Sequence, residues 1–147
     1  MRISKVRDYL FGIIGTLTTN TNYQINANML SNKVDDYSLD KMPTESKVEP
    51  YITGGGLYQD VYSFRSRKSY SQDTLTNLKN MGFFEQLEKA INTNNDRGIL
   101  PDINDIISIE CVTPFTVQYN DDGKTAVFDC QIRIIYEEDF DETDISL

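Results

Sequence analysis

Cys111 and Cys130 are the only thiols in a chain of 147 residues that contains no histidine. Without imidazole the chain lacks the commonest general base and metal ligand, and with it every His-containing triad and zinc signature. Carboxylates are plentiful, but Glu137, Glu138, Asp139, Asp141, Glu142 and Asp144 crowd the C-terminal end without a cation among them. They supply most of the net charge of −9. Acid–base catalysis needs carboxyl groups held in place, and a terminal tail is expected to be mobile. That tail also lacks the Asp-x-Asp-x-Asp-Gly spacing and closing Glu of a calcium loop. Thr53-Gly54-Gly55-Gly56 has neither the spacing nor the Lys-Ser/Thr of a phosphate-binding loop, and reads as a break between strands. Arg65, Arg67 and Lys68 lie among aromatic residues, as in single-strand nucleic-acid binders. In an acidic chain, three cations read instead as a solvated strand end. The expectation is a protein with no catalytic, cofactor or metal site, and not an enzyme.

The elements that would position these groups follow from periodicity. Ile3, Val6, Leu10, Ile13, Ile14 and Leu17 recur at helical spacing and predict an amphipathic helix over residues 3–17. Its run Leu10-Phe11-Gly12-Ile13-Ile14 is short, glycine-broken and preceded by Asp8, unlike a signal peptide, and no window could span a membrane. Residues 18–32 read as an Asn/Thr-rich loop containing at most a short strand. Residues 36–51 allow two short strands around Pro43, or extended chain. Leu57 to Tyr70 reads as a strand with apolar groups on both faces, which nominates Leu57, Val61, Arg65, Arg67 and Lys68 for a subunit or partner interface. Ser71 or Asp73 caps a second helix, whose stripe is Leu75, Leu78, Met81, Phe84, Leu87 and Ile91, with a kink or break expected at Gly82. Consecutive helical residues point about 100° apart. Phe84 therefore belongs to the core and Phe83 to a second surface that joins the interface set.

The last element is a hairpin from Ile106 to Tyr136 with Asp122-Gly123 at its turn. Its register pairs Val117 with Phe128, Phe115 with Cys130, Thr113 with Ile132, Cys111 with Ile134, and Ile109 with Tyr136, all on one apolar face. Val127, Asp129, Gln131, Arg133, Ile135 and Glu137 form the other. Pro114 cannot donate to the ladder, so it requires an edge or a bulge, and a bulge would shift the pairs beyond it. In this register the cysteines stand four residues out of opposition, about 13 Å, too far for a disulfide. They read as small buried core residues. The fold class expected is α+β: an antiparallel sheet with a long C-terminal hairpin, covered on one face by two helices. Residues 1–138 form one domain and residues 139–147 an acidic tail.

Several stretches resemble a family of tailed-bacteriophage minor capsid or tail-completion proteins that look like tail terminators. They are Ile3-Ser4-Lys5-Val6-Arg7, Tyr37-Ser38-Leu39-Asp40 with Pro43, and Ser63-Phe64-Arg65-Ser66-Arg67 leading to Tyr70 and Asp73. Asn80-Met81-Gly82-Phe83-Phe84-Glu85 is the most specific. Leu100-Pro101 and Gln131-Ile132-Arg133-Ile134-Ile135-Tyr136 complete the set. The resemblance implies a homo-hexameric ring in the virion tail, or in a phage-tail-like particle, assembled in the bacterial host cytoplasm. It would cap the head-proximal end of the tail tube, stop tube growth and join neck, connector or sheath proteins, with DNA only passing through its lumen and no membrane partner. The alternatives are a head–tail connector or neck-stopper protein, or a cytoplasmic nucleic-acid-binding module.

Overall fold

The computed structural model describes residues 1–18, 24–27, 30, 36–69, 74–119 and 125–139. Along the chain these give α1 (Arg2–Leu17), β1 (Ile25–Ala27), β2 (Tyr37–Met42), β3 (Lys47–Pro50), β4 (Gly55–Ser69), α2 (Thr74–Asp96), β5 (Ile106–Cys111), β6 (Thr116–Tyr119) and β7 (Thr125–Asp139). The fold is α+β, with two helices and one sheet ordered β1-β2-β4-β7-β5, where β3 also pairs with β4 and β6 with β7. Every pairing is antiparallel except that of β1 with β2, which is parallel.

The spine is the β4–β7 ribbon, paired along the full 15 residues of each strand, from Gly55 opposite Asp139 to Ser69 opposite Thr125. Alternation sorts its residues. Asp60, Tyr62, Phe64, Ser66 and Lys68 on β4, and Ala126, Phe128, Cys130, Ile132, Ile134 and Tyr136 on β7, are buried. The intervening residues from Gln59 to Arg67 and from Val127 to Glu137 are only half-buried. The first set meets Val6, Leu10, Ile13 and Ile14 of α1 and Phe84, Leu87 and Ile91 of α2 in one core. The helix spacings of three and four residues produce these stripes. Phe84 stacks on Phe128 at 4.3 Å between centroids and lies 4.5 Å from Phe115. Tyr37 stacks on Phe64 at 5.5 Å.

Polar contacts tie α1 to its surroundings on three sides. Arg2 Nε donates to Asp60 Oδ2 at 2.7 Å, Arg7 Nε to the Ile25 carbonyl at 2.7 Å, and Tyr9 Oη to the Ile99 carbonyl at 2.7 Å. At one end of the ribbon a turn over residues 51–54, closed by Gly54 N–H to the Tyr51 carbonyl at 3.1 Å, joins β3 to β4. The three-glycine stretch is thus the expected strand break. Gly56 is required there: a Cβ on it would sit 2.3 Å from the Glu49 carbonyl oxygen.

Several expectations change. Val117 opposes Phe128 as expected, but beyond the Val112–Phe115 break Cys111 faces Ile132 and Ile109 faces Ile134, two residues out of the expected register. Val112 N–H reaches the Gln131 carbonyl at 2.8 Å, and Gln131 N–H is completed by Thr113 Oγ1 at 3.0 Å. Thr113 therefore substitutes for the backbone acceptor lost at the break. Because the slip is an even number of residues, the apolar face survives. A second irregularity, between Ile106 and Ser108, adds one more residue, so that Ile106 stands opposite Tyr136 where Ile109 was expected. The slip also halves the expected offset of the cysteines, to about 6.6 Å along the strand, although both remain free thiols, Cys130 buried and Cys111 half-buried. Helix α2 is continuous through Gly82, not broken there. Met81 does not join its stripe, being 51% exposed. The expected cap at Ser71 or Asp73, the turn at Asp122-Gly123 and the tail beyond Asp139 lie outside the described residues. Asp139, expected to open the tail, is instead the last residue of β7.

Candidate functional site

Helices cover one face of the ribbon, and the residues of its other face are half-buried with neither described helix packed on them. Leu57, Val61, Val127 and Ile135 supply its apolar groups, and cross-strand pairs interleave them with polar ones: Leu57 with Glu137, Gln59 with Ile135, Val61 with Arg133, Arg65 with Asp129. Two arginines of this face are matched to carboxylates at close range. Arg65 Nη2 donates to Asp40 Oδ2 on β2 at 2.7 Å. Arg133 bonds Glu110 on β5 through Nε at 2.9 Å and also through Nη2. Ser63 Oγ donates to Asp129 Oδ1 at 3.0 Å. The Arg65–Asp40 pair holds by one prong only, because Arg65 Nε and Asp40 Oδ1 are buried with no hydrogen-bond partner. These are the two atoms that the second prong of a bidentate pair would join.

The residues nominated from sequence divide between the faces. Leu57, Val61, Arg65 and Arg67 lie together on the half-exposed face. Lys68 does not: it is 9% exposed on the helix side. Its Nζ donates to Tyr37 Oη at 3.2 Å and stands 5.0 Å from the Tyr37 ring centre, 4.9 Å from Phe83 and 5.7 Å from Phe84. The three cations are therefore not one basic patch, and Lys68 is not at a solvated strand end. Strict alternation from Phe64 carried this signal, since Lys68 shares its parity. Phe84 is buried, and Phe83 is half-buried against it, edge-on at 5.2 Å.

Two concavities lie elsewhere. A cleft of about 930 Å³ runs beside the start of α1, between Arg2, Lys5, Asp102, Asp105, Tyr136 and Glu137. Its floor is tied to a charged knot in which Asp60 takes Arg2, Tyr62 Oη at 3.1 Å and Lys41 Nζ at 3.5 Å, with the Arg2 guanidinium 4.4 Å over the Tyr136 ring. Burial and the Asp60 carboxylate push the Tyr62 phenol well above its ordinary value, and the same two causes raise Tyr136. Charges of both signs face one another across the cleft, so it favours no singly charged ligand. A smaller groove of about 220 Å³ lies between α2 and β6, lined by Met81, Phe84, Glu88, Pro114, Phe115 and Val117. Contact with Cys111, then burial, raises the Cys130 thiol, which suits an unreactive core group.

Among the described residues, no group of three or more Cys, Asp or Glu side chains is placed to hold a metal ion. Among them, too, no helix is long and apolar enough to cross a membrane. No protein-family model matches this chain, and no curated protein matches it in sequence.

Proposed function

We propose that this chain is a structural assembly subunit, a ring-forming cap at the head-proximal end of a phage tail tube that ends tube growth and offers a surface to neck proteins. The observation that carries the reading is the ribbon's second face. Val61, Leu57 and Ile135 stand there half-buried, with neither described helix packed over them, while Arg65 and Arg133 are already matched to Asp40 and Glu110. Burying an unmatched charge against another protein is costly. A face on which Arg65 and Arg133 are internally matched lowers that cost and suits protein contact, where apolar and arginine groups are favoured. The reading of that assembly as a tail cap rests on the sequence resemblance to tail terminators, most specific at residues 80–85. The same surface would serve a phage-tail-like particle that has no head.

The nucleic-acid alternative loses support from the same geometry. Arg65 is engaged by Asp40 and Lys68 is buried under aromatic rings, so the densest basic run offers few charges to phosphates. No appreciable affinity for duplex DNA is expected at about 0.15 M salt.

Electron microscopy of tail tubes assembled with and without the protein tests the reading. The expected result is six-fold density at one tube end and a halt to growth there. Tubes that elongate unchanged, with no added density, would overturn it. Density on the head vertex instead would assign the connector role.

A further inference from the structure

An antiparallel edge strand turns every second residue outward, leaving its N–H and C=O as a template for a further strand. β5 ends the sheet order. The bond from Val112 N–H to the Gln131 carbonyl fixes its phase, so Ile109 and Cys111 are the residues turned away from β7. Neither outward N–H is open. Ile109 N–H donates to Asn95 Oδ1 at 3.0 Å and Cys111 N–H to Asn92 Oδ1 at 3.4 Å. Beyond the break, Phe115 N–H donates to Glu88 Oε1 at 2.5 Å. Glu88, Asn92 and Asn95 are spaced four and three residues apart, one row on the helix. α2 runs opposite to β5, so its later residues meet the strand's earlier ones.

We infer that this row of α2 is a cap on the β5 edge, closing it against a strand from a second copy of the chain. An asparagine side chain carries the same amide carbonyl as the peptide backbone. The helix therefore sets acceptors where a neighbouring strand would set its own. The core does not dictate these residues, since α2 packs through Phe84, Leu87 and Ile91, and Asn92 is exposed. The edge on the far side of β4 is blunted differently. There β3 is exposed throughout, is irregular between Lys47 and Glu49, and ends in Pro50, which has no N–H. Pairing with a second copy through β5 or β3 is thus disfavoured. This inference does not depend on the tube-cap reading.

The test compares the full-length wild type with Asn92→Ala/Asn95→Ala and with Asn92→Asp/Asn95→Asp, which keeps an acceptor oxygen at each position. In the alanine pair, amide hydrogen exchange at Ile109 and Cys111 should accelerate about tenfold while β4 and β7 amides keep their protection. Sedimentation should show concentration-dependent self-association beyond the wild type. The aspartate pair should retain wild-type protection and mass. Unchanged exchange at Ile109 and Cys111, unchanged association, or aspartate behaving like alanine would each overturn the inference. A measurement on the wild type stands even if the alanine pair does not fold. A scalar coupling across the hydrogen bond from Ile109 N to the Asn95 side-chain carbonyl carbon is expected, and its absence would refute the cap.

Discussion

The two faces of the β4–β7 ribbon share one backbone, and adjacent residues on it meet opposite environments. Phe64 is fully buried under two helices, and its neighbour Arg65 is half-exposed and bound to a carboxylate. On the helix side every polar group is enclosed: Asp60 by Arg2, Lys41 and Tyr62, and Lys68 by Tyr37, Phe83 and Phe84. On the other side Arg65, Arg133 and Asp129 are paired, and the apolar groups, Val61 and Ile135 among them, are half-buried with neither described helix over them. One face forms the described core, and the other is the face proposed for assembly. Substitutions should separate these roles.

The largest effect is expected on the helix side. Phe84→Ala removes a ring stacked on Phe128 and packed on Phe115, and should cost about 3–5 kcal/mol, read as a lowered denaturation midpoint. A loss below about 1 kcal/mol would mean that the core does not close on this ring. A smaller effect concerns pH. Tyr62 on this face has its phenol raised above 10.0 by burial and Asp60, so the folded state holds a proton that the unfolded state releases. Its contribution is complete below pH 10 and is lost as pH rises further, by up to about 1.4 kcal/mol per pH unit. Tyr62→Phe should flatten that alkaline decline in a series of chemical melts, and an unchanged slope would place the effect elsewhere. Gly82→Ala should act in the opposite direction. Nothing lies within 4 Å of the Cβ it would add, and removing a helical glycine should stabilise by roughly 0.5–1 kcal/mol. The smallest change belongs to the open face. Arg65→Ala breaks a partly exposed, one-pronged pair and should shift the stability of the isolated chain by no more than about 1 kcal/mol.

The helix side was the legible half. Helical spacing located α1 and the Phe84-Leu87-Ile91 stripe, and alternation located both faces of β4 and β7. Long-range detail was less accessible. Pro114 signalled an irregularity, but its two-residue size depends on Thr113 completing Gln131, a contact visible only once β5 and β7 are paired. Gly82 suggested a kink or break because its propensity is poor, yet packing of the flanking stripe carries the helix through it without a break. The Asn92 and Asn95 contacts left no trace, since asparagines near a helix end ordinarily mark its termination. Lys68 was recoverable, because the parity that buries Phe64 and Ser66 buries Lys68 too. The open face's role was not legible in its own residues, whose alternation of arginine, valine and serine describes any half-solvated strand. The partner proposed for it rests on the resemblance of short sequence stretches alone.

Val61 and Ile135 offer the most direct measurement, because they lie on the open face and outside the core. Full-length Val61→Asp/Ile135→Asp would be compared with wild type for thermal stability and for binding to the ends of purified tail tubes. If the open face is the assembly surface, the melting temperature should stay within a few degrees while tube-end binding weakens about 100-fold or more. Tube ends capped at wild-type strength by this variant would contradict that role for the face.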